Sequence, residues 1–145
     1  MIGNGAKIMG RTKLPLQEKL EHLTLSQNKY NHSLKGIYKG IKHHKCRVLI
    51  SQKDFIQWYL KQPKICYYCS LSEKQLKNVD DKFNNRFSRL TIDRKDSTKP
   101  YQIDNLVLCC NRCNMIKNDF FSEADMLEIG KKFIKPKWQP FTKRN

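Results

Sequence analysis

Two cysteine pairs, Cys66-x-x-Cys69 and Cys110-x-x-Cys113, constrain this 145-residue chain more than any other feature. Pairs at that internal spacing close a tetrahedral site of four thiolates, and zinc is the ion such a site takes. Four protein ligands leave no open position for water, so the predicted role is structural. Residues 70–109 lie between the pairs, a longer separation than in a compact zinc ribbon, so the site must staple together elements distant in sequence. Only 39% of the residues are hydrophobic, a modest core for a chain that needs such a staple. The first residues carry no apolar leader, and no run approaches the ~18 apolar residues of a membrane span. The expected setting is therefore cytoplasmic and reducing, where paired cysteines bind metal rather than each other. Cys46 and Cys109 are left over, and Cys109 reads as a small buried residue.

The second pair closes a distinctive stretch from Arg89 to Asp119, RLTIDRKDSTKPYQIDNLVLCCNRCNMIKND. A short apolar run ends on Asp93, a polar turn follows, a second apolar run spans Leu106 to Leu108, and Cys113 runs directly into Asn114. This predicts strand, loop, strand, then a helix whose start is held by cysteines. Asp93 and Asn114 would then face each other. A carboxylate oxygen and an amide oxygen are hard donors suited to Mg²⁺ or Mn²⁺, which keeps several waters and needs few protein ligands.

The order and spacing of these residues resemble the HNH endonucleases, the ββα-metal nucleases. The likeness extends over roughly residues 33–134 and is most specific at 89–118. It implies an α+β fold with a small zinc-stapled ββα-metal (HNH, His-Me finger) core and flanking helices. Asp93 stands where the family's first-strand Asp stands, Asn105 at its central Asn, and Asn114 at its final metal ligand. One position departs from the pattern: the residue after the Asp is usually His, the general base, and here it is Arg94. An Arg there, with a following Tyr, is similar to a variant found in phage and bacterial members.

Arg94 stays protonated at any useful pH, so it clamps a phosphate rather than abstracting a proton. Two candidates remain for the base. Tyr101 lies in the loop between the strands, from which it would swing toward the metal. A neighbouring guanidinium and a metal would favour its phenolate. The variant family also carries a Tyr at this point. His43 or His44 is the other candidate, since imidazole suits neutral pH better. Tyr101 is preferred, with the histidines binding phosphate or assisting. Asn105 is expected to tie the loop to itself, Asp96 to orient Arg94 or cap the turn, and Lys117 to touch a phosphate.

The formal net charge of +16 favours a polyanionic partner and speeds its encounter. From His22 to Lys53 there is no acidic residue, but seven Lys or Arg and all four histidines. Leu34, Ile37, Tyr38 and Ile41 recur at helical spacing, predicting an amphipathic helix over 33–44. Lys35, Lys39 and Lys42 lie on its polar side, and with Lys45 and Arg47 they are the expected DNA contacts.

The domain reading is a basic helical arm (1–48), the zinc-bound nuclease core (49–135) and a basic tail (136–145). Within it, Leu14 to Leu25 reads as a short helix and Cys46 to Ile50 as a short strand. Ser51-x-x-Asp54 opens a helix that ends before Pro63. Residues 77–88 read as a polar loop. Ser122-x-x-Asp125 opens a last helix with Met126, Ile129 and Phe133 on one face, closed by Pro136; the basic tail from Lys131 to Asn145 is read as either a DNA contact or a disordered end, disorder being preferred beyond Trp138.

The resulting expectation is a metal-dependent endonuclease on double-stranded DNA. By the resemblance, it leaves 5′-phosphate and 3′-hydroxyl ends. A small reader of duplex DNA would work as a homodimer on a palindrome, as a restriction enzyme does. The alternatives are a monomeric homing-type or phage nicking enzyme, a non-catalytic zinc module that binds nucleic acid, and a nuclease for RNA or branched DNA.

Overall fold

The computed structural model describes residues 33–44, 46–83 and 89–143. The expected helix at Leu14 to Leu25 and the expected contact through Lys45 lie outside the described residues. The architecture is α+β: α1 (Leu34–Lys42), α2 (Gln52–Lys61), α3 (Glu73–Phe83), β1 (Leu90–Arg94), β2 (Leu106–Cys110), α4 (Asn111–Lys117), α5 (Glu123–Ile129), a π-helical segment (Gly130–Ile134) and α6 (Lys135–Trp138). Among the described residues, no helix is long and apolar enough to cross a membrane.

β1 and β2 pair antiparallel, Leu90 opposite Cys110 and Asp93 opposite Val107. All five residues of β2 are buried, as their continuous apolar run requires, and α4 follows without a linker. Helix starts follow side-chain chemistry. Ser33, Ser51 and Ser122 each accept a hydrogen bond from a backbone N–H three residues on. The helix of the basic arm is packed into the core: Ile41 is buried, and the Tyr38 hydroxyl donates to the Ile50 carbonyl over 2.8 Å. Residues 46–50 form no strand; Val48 makes a single parallel bridge to Tyr101.

Further expectations are corrected. The polar stretch 77–88 is helical as far as Phe83, because Ser72 and Gln75 cap α3 reciprocally and Leu76 and Val79 bury its inner face. The Ser72-x-x-Gln75 capping signal was readable but masked by the Asn and Asp residues after it. The last helix does not present Phe133 inward. One π turn at 130–134 inserts an extra residue, so Ile134 is buried and Phe133 is exposed. The wider turn also lets the helical path continue through Pro136. Beyond Trp138 the chain makes a 3-10 turn (Gln139–Phe141), and the Thr142 carbonyl accepts from Asn78 Nδ2 on α3 over 2.6 Å, burying Thr142.

Gly130 starts the π segment because nothing larger fits. A Cβ there would lie 2.3 Å from the Tyr68 carbonyl oxygen and 2.5 Å from its carbon. These are backbone atoms of the first cysteine pair's turn and cannot rotate away. Gly130→Ala should therefore destabilise the protein by about 3 kcal/mol, the upper part of the overpacking range. A drop in the urea midpoint at unchanged slope is the expected readout.

Candidate metal centres and nuclease cleft

The first centre is built from the two cysteine pairs. Cys66 and Cys69 sit in the turn before α3, Cys110 ends β2, and Cys113 lies in the first turn of α4. All four are buried, and their sulfurs lie within 4.8 Å of one another. Cys69 and Cys110 Sγ are 3.9 Å apart, close to the ~3.8 Å edge of a tetrahedron with zinc–sulfur bonds of ~2.3 Å. The donor set therefore fits a tetrahedral thiolate-binding ion such as zinc. Cys110 also starts the helix that follows it, since its Sγ accepts from the Cys113 backbone N–H over 3.5 Å and caps α4. The Tyr67 backbone N–H donates to the Leu108 carbonyl over 2.8 Å, fixing the first pair's turn to β2. Cys109 points elsewhere in the core, and burial pushes its thiol up, so it packs as a neutral apolar group.

The helix that the cluster holds is anchored at three further points. Arg112 pairs with Asp80 of α3 over 2.5 Å, both side chains nearly buried, and its guanidinium lies 4.9 Å from the Trp138 ring centre. Lys117, at the end of α4, is fully buried. The predicted contact of Lys117 with phosphate is thus corrected. Its Nζ donates to the Arg94 carbonyl over 2.8 Å and to Ser97 Oγ over 3.1 Å, and pairs with Asp93 Oδ2 at 3.3 Å. Solvent and DNA cannot reach it in this arrangement.

A cleft of about 1020 Å³ opens between α1 and the strand–strand–helix unit. Asp93 and Arg94 from β1, Tyr101 from the loop, Asn114 from α4 and His44 after α1 all line it. Five of the predicted site residues thus share one space. His43 does not: it caps the end of α1 and is exposed. Asn105 is buried and ties the loop to itself, as expected. Its Oδ1 accepts from the Asp96 N–H, and its Nδ2 donates to the Asp96 and Pro100 carbonyls, each over 3.0 Å. Asp96 caps the turn, accepting from Thr98 N and Oγ1 over 2.9 and 2.6 Å, and these bonds hold its carboxyl below the usual range.

Arg94 donates to the Lys99 carbonyl over 2.9 Å, and its guanidinium carbon lies 5.1 Å from the Tyr101 ring centre. Tyr101 does not swing. Its backbone bonds Arg47 and Leu49 on either side, its ring is buried, and His44 stacks on it with centroids 6.3 Å apart. Burial pushes the Tyr101 phenol above its ordinary range, and the Arg94 guanidinium pulls the other way. The wall opposite Asp93 is formed by Gly36, Ile37, Gly40 and Ile41; Lys35, Lys39, Lys42 and Arg47 are exposed and do not line the cleft.

Tyr68, placed between two cysteines, was not singled out by sequence reasoning. It is 2% exposed and its hydroxyl donates to Asp93 Oδ2 over 2.5 Å. Burial, and then the bond to that carboxylate, push its phenol up, so it remains a neutral donor. No local signal could have revealed a partner 25 positions away.

No family model matches the chain, and no curated protein does. Among solved structures, the chain is similar to the rare-cutting HNH restriction endonuclease PacI, described for its mechanism of DNA perturbation. The two share 23% identity, with a TM-score of 0.54, over 95% of this chain and 92% of that one.

Proposed function

We propose that the chain is a metal-dependent HNH-type DNA endonuclease with a ββα-metal core, whose reaction takes place in the cleft beside α1. The observation that carries this reading is that Asp93 and Asn114, from different elements, line one cleft together with Arg94, Tyr101 and His44. PacI's overall likeness, a four-cysteine cluster that fits zinc and the charge of +16 support it.

Asp93 and Asn114 offer oxygen donors that fit Mg²⁺ or Mn²⁺, which when bound relieves charge on the phosphate and on the leaving oxygen. Arg94 holds a non-bridging phosphate oxygen. Tyr101 accepts a proton from the attacking water as the oxygen–phosphorus bond forms, and the bond to the 3′ oxygen breaks. His44, stacked on the phenol, keeps it directed into the cleft. Lys35, Lys39, Lys42 and Arg47 contact the flanking phosphates of duplex DNA. A two-fold dimer would let each copy cut one strand, and the particle mass on DNA tests that.

Incubation of plasmid with Mg²⁺ or Mn²⁺ should give nicked or linear product, and EDTA should stop it. No cleavage of any duplex under these conditions would sink the enzymatic reading in favour of a DNA-binding zinc module. The pH profile separates the two bases. With Tyr101, the logarithm of the rate climbs with unit slope through mildly alkaline pH, because the phenolate is the active form and burial raises its pKa. With His44 as the base, His44→Ala rather than Tyr101→Phe would remove the rise. Tyr101→Phe should lower the rate by roughly 10²–10⁴-fold and flatten the profile, whereas His44→Ala should leave its slope intact.

A further inference from the structure

The hydrogen-bonding of Asp93 is lopsided. Both of its partners meet Oδ2: the Tyr68 hydroxyl at 2.5 Å and the Lys117 Nζ at 3.3 Å. Among the described residues Oδ1 carries no hydrogen bond, and the side chain lines the cleft. We propose that Tyr68 and Lys117 are positioning residues that set which cations the Asp93 site accepts: by occupying one carboxylate oxygen, they leave Asp93 a one-oxygen ligand and bias the site against large cations such as Ca²⁺.

This rests on the reading of Asp93 as a metal ligand. Neither donor is free to yield. Tyr68 is 2% exposed and stands between two cysteines of the thiolate cluster. Lys117 is fully buried, and its other hydrogen bonds hold it to the Arg94 carbonyl and Ser97. One donor comes from the turn of the first cysteine pair, the other from the helix that begins at the second. The four-cysteine cluster therefore fixes both ends of the clamp. For Oδ2 to turn toward the cleft, both bonds must break at once, leaving the buried Tyr68 hydroxyl without this acceptor and the buried Lys117 ammonium without its carboxylate.

Cation chemistry turns that constraint into selectivity. Mg²⁺ and Mn²⁺ prefer octahedral shells with one oxygen from each carboxylate. Ca²⁺ takes 6–8 oxygens and gains from bidentate carboxylates. A carboxylate limited to Oδ1 serves the first group and starves the second. Cleavage rate alone would not isolate this effect, because any disturbance of Asp93 lowers it. A ratio of affinities does.

The test is Mn²⁺ binding to the zinc-loaded full chain, followed by electron paramagnetic resonance of the free ion, with Ca²⁺ as competitor. In Tyr68→Phe, the Ca²⁺ to Mn²⁺ ratio needed for half displacement should fall by about tenfold, the lower end of what outer partners of metal ligands contribute. Lys117→Gln should shift the ratio in the same direction, and it decides alone if Tyr68→Phe does not load zinc. An unchanged ratio would overturn the clamp while leaving Asp93 a ligand. Mn²⁺ bound equally well by Asp93→Asn would instead remove the metal reading on which the clamp stands.

Discussion

Cys66→Ser is expected to yield a chain that neither retains its metal nor folds. All four cluster cysteines belong to the buried core, and together they join the turn before α3, the end of β2 and the start of α4. Apparent binding energies of structural zinc run to about 10–16 kcal/mol, whereas a domain of this size is stable by about 5–15 kcal/mol. Losing one thiolate therefore removes a contribution as large as the whole stability. Tyr68, Leu71 and Leu76, buried in or just after the same turn, should lose their anchor with it. Circular dichroism with metal analysis should report an unfolded, zinc-depleted variant, and a strong chelator should produce the same state from the parent. A Cys66→Ser protein that keeps stoichiometric zinc and melts like the parent would refute the assignment. Cys109→Ala offers the contrast: it removes a buried thiol outside the cluster and should leave the zinc content whole.

Asp93→Asn should abolish cleavage with little effect on the fold. The amide keeps an oxygen acceptor for the Tyr68 hydroxyl and for Lys117 while withdrawing the charge a divalent ion needs. Charge stabilisation by a bound metal is worth several kcal/mol, so the rate should fall by roughly 10³-fold or more. Asp93→Ala should lose activity equally but behave differently on unfolding. It strips the fully buried Lys117 of its carboxylate and Tyr68 of its acceptor, and breaking a buried pair from one side costs about 3–5 kcal/mol. Cleavage assays paired with urea denaturation of both variants check this. Residual Mg²⁺-dependent cutting above roughly a hundredth of the parent rate in Asp93→Asn would count against the carboxylate as a ligand. Equal destabilisation by the two substitutions would count against the Tyr68 and Lys117 contacts.

Where the sequence was legible, short-range chemistry was in control. Ser33, Ser51 and Ser122 announce their helices because a hydroxyl reaches a backbone N–H only three residues away. The strands and α4 could be read because an apolar run pairs across a turn whose central Asn, Asn105, satisfies the loop from within. The cysteine pairs carry their own geometry, since two side chains three positions apart can share one ion. Residues 77–83 and the face of the last helix were misread for a different reason. α3 is held by buried Leu76 and Val79, and the π turn is imposed by the approach of Gly130 to the Tyr68 backbone. The Ser72–Gln75 cap of α3 is local, but the burial of its inner face and the Gly130 contact depend on segments distant in sequence.

The chain by itself thus determined which donors exist and which of them stand at strand ends or helix starts: Asp93, Asn114, and the four thiols. Folding alone decided what surrounds them. Lys117 looks like any surface lysine until α4 packs against β1 and turns its amine to Asp93. Tyr68 looks like filler until the cysteine turn brings its hydroxyl to the same oxygen. Composition and spacing set local conformation through contacts of a few residues. Burial and partnership arise only when segments 20 or more positions apart compete for the same interior space, as Lys117 with Ser97 and Tyr68 with Asp93 do.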